Sequence, residues 1–338
     1  MTTTSSLNRL FATLALMAAF ALPMHRAHAE GNVRIVDQYG IGSLLLKVVK
    51  DQKLIEKEGA RSGLDIDVQW NTLSGGAAMN EALLSGAADI ATIGIGPLMT
   101  IWDRTLEHQA FRAMAAQSAV PVYLVSNDPR IRSIGDVGEK DRIAVVSVAV
   151  SQQGRLLQMA SARAFGDANY ARLDRFEVNM PHADATTAML SGNSLINLHF
   201  SNAPYQYQEL EDRKIHKVIS STDILGGPST GSVVVTSAKW RKDNPKTYAA
   251  VRAALEDAAK LVGKDKAQAA AIYIRQDGSK LSPAFVERIL NDGEASFSTT
   301  PQNTLQLGTF LHKVGVIRHE PKSWRDYFFA DDASAQGS

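Results

Sequence analysis

The sequence predicts an α/β protein made of two similar lobes that face each other across a cleft. Three observations predict it. Residues 82–97 read ALLSGAADIATIGIGP, and residues 188–204 read AMLSGNSLINLHFSNAP. Each copy is the end of an amphipathic helix, then Ser-Gly, then a buried apolar strand, then a polar or glycine turn closed by Pro. The copies start 106 residues apart, from Ala82 to Ala188. That spacing is far too long for a solenoid repeat and about right for two lobes. Around both copies, strand-like and helix-like patterns alternate, which is the order of a mainly parallel sheet with helices on its faces.

The elements follow in order. Arg9 with the 13 apolar residues Leu10 to Leu22 and the A-x-A site Ala27-His28-Ala29 reads as a cleaved signal peptide over 1–29, with Glu30 as the mature N-terminus. Val33 to Val36 is a short strand. It runs into Gly40-Ile41-Gly42-Ser43 and a periodic helix through Leu44, Leu45, Val48, Val49 and Leu54. Leu64, Ile66, Val68 and Trp70 alternate with polar residues, as in a half-buried strand. Ser74-Gly75-Gly76 opens a helix that stops at Gly86, and Ile90 to Ile95 is the next strand.

The second lobe repeats this logic. Ile143 to Val148 is an apolar run suited to a buried parallel strand. Ser151 opens a helix closed by Gly166. Phe176 to Asn179 is a strand, and Pro181-His182-Ala183-Asp184 leads into a helix ending at Gly192. Ile196 to Phe200 is the strand of the second copy. Phe111 to Asn127 and Val218 to Val235 are extended crossings between lobes, and Gly226-Gly227-Pro228 offers a hinge. The expected division is lobe 1 at 30–117 plus 227–338 and lobe 2 at 118–226. The C-terminal part is helical, with starts at Pro245, at Ser282-Pro283 and at Thr300-Pro301. The acidic, small-residue tail from Ala330 is expected to fray.

Composition narrows the function. The whole chain has 36 basic and 35 acidic residues; loss of Arg9 and Arg26 with the leader leaves 34 against 35. A near-neutral balance without basic runs argues against nucleic acid as a partner. No later stretch is long and apolar enough for a membrane helix. There is no cysteine. Cysteine nucleophiles, thiolate metal sites and a lipoprotein anchor are thereby excluded. A chain of this length can build its core without disulfides, so export remains compatible. The periplasm of a Gram-negative bacterium fits best.

Motifs for catalysis are weak. Gly227-Pro228-Ser229-Thr230-Gly231 matches the nucleophile-elbow pattern G-x-S-x-G. An elbow needs a strand before it and a helix after it. Here an apolar strand, Val233 to Thr236, comes after it, so a turn or hinge is the better reading than a hydrolase through Ser229. Gly40-x-Gly42 and Gly94-x-Gly96 lack the third glycine of a dinucleotide fingerprint, and no Walker A sequence is present. The histidines of the mature chain have no metal-ligand spacing. No metal, cofactor or catalytic residue is expected. His199, in an apolar strand, reads as a hydrogen-bonded structural histidine. His182 and Asp184 are candidates for lining the cleft, with helix capping as the alternative for Asp184.

The stronger signal is collective. Gly40–Ser43, Ser74–Gly76 and Ser147–Ser151 each put small or hydroxyl residues at a predicted strand-to-helix turn. Free backbone N–H groups and the positive helix end make such turns anion sites. Ordinary capping accounts for any one of them. Several at the C-terminal strand edges of two facing lobes point to a ligand cleft.

At these residues the chain resembles the periplasmic substrate-binding proteins of nitrate, sulfonate and taurine ABC importers. That group shades into binders of thiamine-pyrimidine precursors. The resemblance covers almost all of the mature chain. Gly75-Gly76, then Glu81-Ala82-Leu83-x-Ser85-Gly86-x-x-Asp89-Ile90, then Gly94, looks like the family's lobe-1 signature. Ile134-Gly135-Asp136-Val137 followed by Arg142-Ile143-Ala144-Val145 looks like its entry into lobe 2. The resemblance implies the type II periplasmic binding protein fold and a non-enzymatic monomer. Ligand would be trapped by hinge closure and delivered to a permease and ATPase complex. It also implies that Ser43, Ser74, Gly75, Gly76 and Ser147 hold an anionic head, that Gln38 and Tyr39 line the lobe-1 wall, and that Gln117 and Ser118 sit at the hinge.

The sequence departs from the family after the second Ser-Gly. Taurine- and sulfonate-type members often show Asp-Ala and then Glu-Pro; here Asn197-Leu198 and Ala203-Pro204 replace them, with Ser201-Asn202 between. An acid that could pair with a ligand amine is missing, which favours an anion or a neutral polar ligand over taurine. Ser201 and Asn202 join the candidate ligand residues, and the differences between the copies are expected to carry ligand choice. A thiamine-pyrimidine precursor or similar heterocycle is the alternative ligand, and a sensory role is the alternative to uptake. A related eukaryotic family that makes the thiamine pyrimidine uses a cysteine-rich motif for iron, which this chain lacks.

Overall fold

The computed structural model describes residues 30–192, 195–330 and 337–338. The predicted leader, Asn193-Ser194 of the second copy and most of the acidic tail lie outside them. Val33, Ile35 and Val36 bury themselves along strand β1 (Asn32–Gln38). Beside it lie β2 (Asp67–Leu73), β3 (Ile90–Gly94) and β4 (Phe111–Ser118). The chain then crosses to β5 (Tyr123–Ser126), β6 (Ile143–Val145), β7 (Glu177–Asn179), β8 (Leu198–Ser201) and β9 (His216–Ser220). It returns as β10 (Ser232–Ser237).

These strands form two sheets of five, in the orders β2-β1-β3-β10-β4 and β7-β6-β8-β5-β9. The orders are the same pattern drawn twice. The strands of the doubled motif, β3 and β8, hold equivalent third places. The repeat therefore marks topological equivalence. One strand in each sheet runs against its neighbours: β10 is antiparallel to β3 and β4, and β5 to β8 and β9. Both are the strands that arrive from the other sheet. They enter at the edge where the parallel strands end, so they must run away from it. The "mainly parallel" expectation missed this reversal because apolar patterning carries no direction.

The equivalence extends to polar detail. Asp89 accepts the backbone N–H of Arg34 at 2.9 Å, and Asn197 accepts that of Arg142 at 2.9 Å. Both residues pin the start of a central strand. The Asp-to-Asn difference between the copies thus lies in strand pairing, and neither residue lines the cleft described below.

Several boundaries differ from expectation for local reasons. Residues 62–66 end the helix Leu54–Arg61, with Leu64 N–H bonded to Gly59 C=O at 2.9 Å, so β2 starts only at Asp67. Strand β6 stops at Val145 because Ser147 C=O takes the N–H of Ser151 at 3.0 Å, turning the chain into the helix Gln152–Phe165. The return crossing is not extended throughout. Ser220 and Asp223 form a capping box that starts a short helix, Ser221–Leu225. The helix expected at Thr300-Pro301 begins at Leu305, with Thr304 as its N-cap. His182 and Asp184 are in the first turn of the helix His182–Ser191, and not in a loop before it.

Two large apolar clusters hold this frame. In one, Leu44, Leu45 and Val48 of the helix Leu44–Gln52 pack with Val251, Leu255 and Ala258 of the helix Pro245–Lys264. The other is continuous from Ala91, Leu98 and Trp102 to Leu156, Leu157 and Phe200, and so joins the two sheets on one side. Each fully buried leucine contributes about 1.5–3 kcal/mol of transfer free energy. Among the described residues, no helix is long and apolar enough to cross a membrane.

Candidate functional site

The C-terminal ends of the parallel strands meet in one cleft of about 220 Å³. Gln38 and Tyr39 follow β1, Ser74, Gly75 and Gly76 follow β2, and Gly94 ends β3. From the second sheet come Val146 after β6, Pro181 after β7 and Asn202 after β8. The reversed strands contribute their starts, Val122 before β5 and Ser232 of β10. An open α/β sheet binds ligands at this edge because its turns leave backbone groups unpaired there.

The lining contains Gln, Tyr, Ser, Asn, His, Gly and apolar side chains. No Asp, Glu, Lys or Arg is among them. Charge on a ligand would meet dipoles. Three helices start at the cleft without a side-chain cap: Gly76–Leu84 behind Gly75, Ile95–Thr105 behind Gly94, and His182–Ser191 behind Pro181. The first N–H groups of a helix have no intrahelical partner. At Gly76–Leu84 and His182–Ser191 they stay open, whereas at Ile95–Thr105 the N–H of Ile95 is bonded to Gly231 C=O at 3.0 Å and Pro97 has none. The helix Gln152–Phe165 differs, because Ser151 Oγ accepts the N–H of Gly154 at 3.1 Å.

Of the residues singled out in the sequence, Gln38, Tyr39, Ser74, Gly75, Gly76, Ser118, His182 and Asn202 line this cleft. The others lie elsewhere. Ser43 is buried behind Gly42, which takes its place in the wall. Gln117 is fully buried as a brace; it accepts from Leu46 N at 3.0 Å and donates to Thr92 Oγ1 at 3.1 Å. Ser147 does not line the cleft. Its Oγ lies 2.6 Å from where a Cβ on Gly75 would stand. Asp184 is exposed on the first helical turn, outside the lining. Ser201 is fully buried in β8, its Oγ without a partner.

His182 is the cleft end of a buried polar chain. Its Nδ1 lies 2.7 Å from His199 Nε2, and His199 Nδ1 lies 2.5 Å from Glu209 Oε1. Thr186 Oγ1 donates to the same oxygen at 2.9 Å. The His182 ring stacks on Tyr205, with centroids 5.6 Å apart. Its Nε2 is 3.3 Å from the Gln153 amide nitrogen. His199 and Glu209 are both fully buried. Burial, and then the neighbouring His199, push the pKa of His182 well below the usual histidine value, so its ring stays uncharged. The sequence reading of His199 as a structural histidine did not foresee its link to the cleft through His182.

Beneath the first wall, Lys47 pairs with Asp37 and Asp277, and Asp277 also accepts the N–H of Gly40 at 3.3 Å. Behind the second wall, Glu177 accepts the N–H of Ala149 at 2.6 Å, which holds the loop that leads to Ser151.

Polar lining residues not anticipated are Gln152, Gln153, Tyr205 and Ser232, while Ser151 belongs to the Ser147–Ser151 turn singled out in the sequence. The glutamines follow the Ser147–Ser151 turn, and the argument made for that turn reaches them once the first helical turn is included. Tyr205 follows Ala203-Pro204 directly. Ser232 had no signal, because its place depends on the reversal of β10.

No family model matches the chain, and no curated protein matches it. Solved structures do. The alkanesulfonate-binding protein SsuA from Xanthomonas axonopodis pv. citri, bound to MOPS, aligns with a TM-score of 0.67 at 18% identity, covering 86% of this chain and 95% of that one. The nitrate-binding protein NrtA from Synechocystis PCC 6803 aligns with a TM-score of 0.66 at 12% identity, covering 88% and 84%. A Candida albicans protein described as having the generic periplasmic binding protein fold aligns at 0.62 and 10% identity, covering 88% and 95%. At these identities the likeness is one of fold.

Proposed function

We propose that this chain, which has the periplasmic binding protein fold, is a non-enzymatic solute-binding protein. It takes a small organic anion of sulfonate or carboxylate type into the cleft. The observation that carries this reading is a cleft edged by two helix starts with open first N–H groups, Gly76–Leu84 and His182–Ser191, and lined without a charged side chain. Such a wall offers N–H dipoles to an anion, and no fixed cation or anion binds it permanently. The solved structures of like fold include proteins named for alkanesulfonate and for nitrate, which supports an anionic ligand.

In this reading the lobes are 30–117 plus 227–338 and 118–226, and they close by bending at the two crossings. The leader over 1–29 sends the protein to the periplasm as a monomer, and a permease and ATPase complex takes the ligand. Gln38, Tyr39, Ser74, Gly75, Gly76, Ser118, His182 and Asn202 contact the ligand.

The test is thermal unfolding of the mature protein with alkanesulfonates, carboxylates, nitrate and thiamine-pyrimidine precursors. A ligand that binds only the native state at a hundred times its Kd stabilises it by about 2.7 kcal/mol. One anion class should raise Tm clearly. A rise with the heterocycles alone would replace the anion, and no rise with any compound would reject the reading.

A further inference from the structure

Several polar side chains that line the cleft already have a partner. Gln38 Nε2 donates to Thr92 C=O at 2.9 Å, and Ser118 Oγ donates to Gly42 C=O at 3.1 Å. Asn202 differs. Its Oδ1 is closed off from solvent and accepts nothing. Among the described residues, no other side chain of the cleft lining holds an enclosed polar atom without a partner. Such an oxygen is unfavourable until a donor reaches it.

The ordinary uses of an asparagine at this place do not account for it. The helix Tyr205–Glu209 follows closely, and it starts without a side-chain cap. Asn202 serves that helix through its backbone, whose C=O accepts from Gln206 N–H at 3.0 Å. Across the cleft the amide faces Gly40, where a Cβ would stand 3.4 Å from Nδ2 and 3.8 Å from Oδ1. The donors there are taken: Gly40 N–H goes to Asp277 at 3.3 Å, and Ile41 N–H to Ala203 C=O at 3.1 Å. Asn202 also marks a difference between the two copies of the motif inside the cleft. Asp89 and Asn197 hold matching places, and the same step of five residues leads to Gly94 in one copy and to Asn202 in the other. Both end points line the cleft. The first wall has no side chain there, and the second has an amide.

We propose that the ligand is an anion that also carries a neutral hydrogen-bond donor, a hydroxyl or an amide N–H, and that Asn202 Oδ1 accepts from it. This rests on reading the cleft as an anion site. The lining holds no carboxylate, so a neutral donor suits it better than an ammonium. Tyr205, three residues beyond Asn202, stacks on His182 with centroids 5.6 Å apart, which brings the amide near the helix start His182–Ser191. One small molecule therefore reaches both, with its anionic group at the helix start and its donor at Asn202. A saturated end in place of the donor leaves Oδ1 unpaired in the complex. By that penalty a polar site rejects an analogue that lacks the polar group. The amide turned over would enclose its NH2 and ask for an acceptor instead, a demand that a methyl ether meets as well as a hydroxyl.

Calorimetry on the full mature protein tests this with matched anions. One set is 2-hydroxyethanesulfonate, 1-propanesulfonate and 2-methoxyethanesulfonate. The other is 3-hydroxypropionate, butyrate and 3-methoxypropionate. In the set that binds tighter, the hydroxyl compound should exceed both others by about ten- to a hundredfold in affinity. A methyl or methoxy compound that binds as tightly as the hydroxyl one overturns the proposal and leaves the anion reading standing. No binding by any of the six rejects the anion reading and the proposal together. Asn202→Leu should erase the preference, and a preference that survives it overturns the proposal. If that variant does not fold, Asn202→Ala, which only removes atoms, takes its place. Asn202→Asp keeps an acceptor, and should keep the preference while weakening every anion through its charge.

Discussion

The ammonium of Lys47 lies 2.8 Å from Oδ1 of Asp277, although the two stand on helices far apart in sequence, Leu44–Gln52 and Lys266–Asp277. Asp37 adds a second carboxylate at 3.3 Å, and all three side chains are buried. Burial pushes Asp37 up to about 6 against the pull of Lys47. The group ties the C-terminal part of the chain to the end of β1, where Gln38 and Tyr39 enter the cleft. Lys47→Met leaves two carboxylates without their cation, and should cost about 3–5 kcal/mol in urea denaturation. The loss should be smaller at pH 5 than at pH 8, since a proton on Asp37 takes over from the ammonium. A cost below about 1 kcal/mol at pH 8 would mean the site is solvated.

Gly75 combines backbone strain with contact across the cleft. Its φ is +85°, and a Cβ there would stand 2.6 Å from Ser147 Oγ and 2.9 Å from Val146 C=O of the opposite wall. Gly86 has a similar φ of +72° with nothing within 4 Å. Gly86→Ala should cost about 1–2 kcal/mol, the price of a left-handed L-residue alone. Gly75→Ala should lose more from strain alone, because its ψ of 145° lies in a region that essentially only glycine adopts. The contact is therefore read from small-angle X-ray scattering, where this variant should widen the molecule. Unchanged scattering would remove the contact across the cleft from the account.

Much of this architecture was legible because it rests on local chemistry. Ser-Gly after an apolar helix, twice, marked β3 and β8, and Ser151, Ser282 and Pro245 marked helix starts that the structure keeps. What depends on direction was not legible. The reversed strands β5 and β10 look like any apolar run, so Ser232 could not be placed in the wall. Partners distant in sequence were equally silent: nothing beside Gln117 tells that its amide braces Leu46 and Thr92, and so turns away from the cleft. Ser43 and Ser147 were chosen as hydroxyls at turns. In the structure it is Gly42 and Ser151 at those turns that reach the cleft, with Gln152 and Gln153 beyond the second.

Glu177 gives stability a pH dependence of defined sign. Burial pushes its carboxyl up to about 8, and one of its oxygens is enclosed with no partner. The folded protein thus keeps a proton that the unfolded chain loses near pH 4.5. That contribution is fully present below pH 4.5, declines as pH rises, and is gone above about 8. Asp37 behaves alike only up to about 6. Between pH 6.5 and 8 the unfolding free energy from urea denaturation should therefore fall with pH, by at most about 1.4 kcal/mol per unit from this group. Glu177→Gln should flatten that window. Identical slopes in parent and variant would show that Glu177 is ionised in the fold.

Two cleft residues should respond in opposite ways, which separates scaffold from ligand contact. Tyr39 is 51% exposed at the cleft wall and holds no part of the core. Tyr39→Ala should leave stability within about 0.5 kcal/mol, while weakening the bound anion about two- to tenfold through lost aromatic contact. Ser151 is 1% exposed, and its Oγ is committed to the N–H of Gly154. Ser151→Ala should cost about 1 kcal/mol of stability through the lost cap. Its hydroxyl is committed to that cap and not to the ligand, so affinity should hold. If Tyr39→Ala destabilises the free protein as Ser151→Ala does, the tyrosine braces the fold, and the first wall of the cleft must be drawn from Gln38 and Ser74 alone.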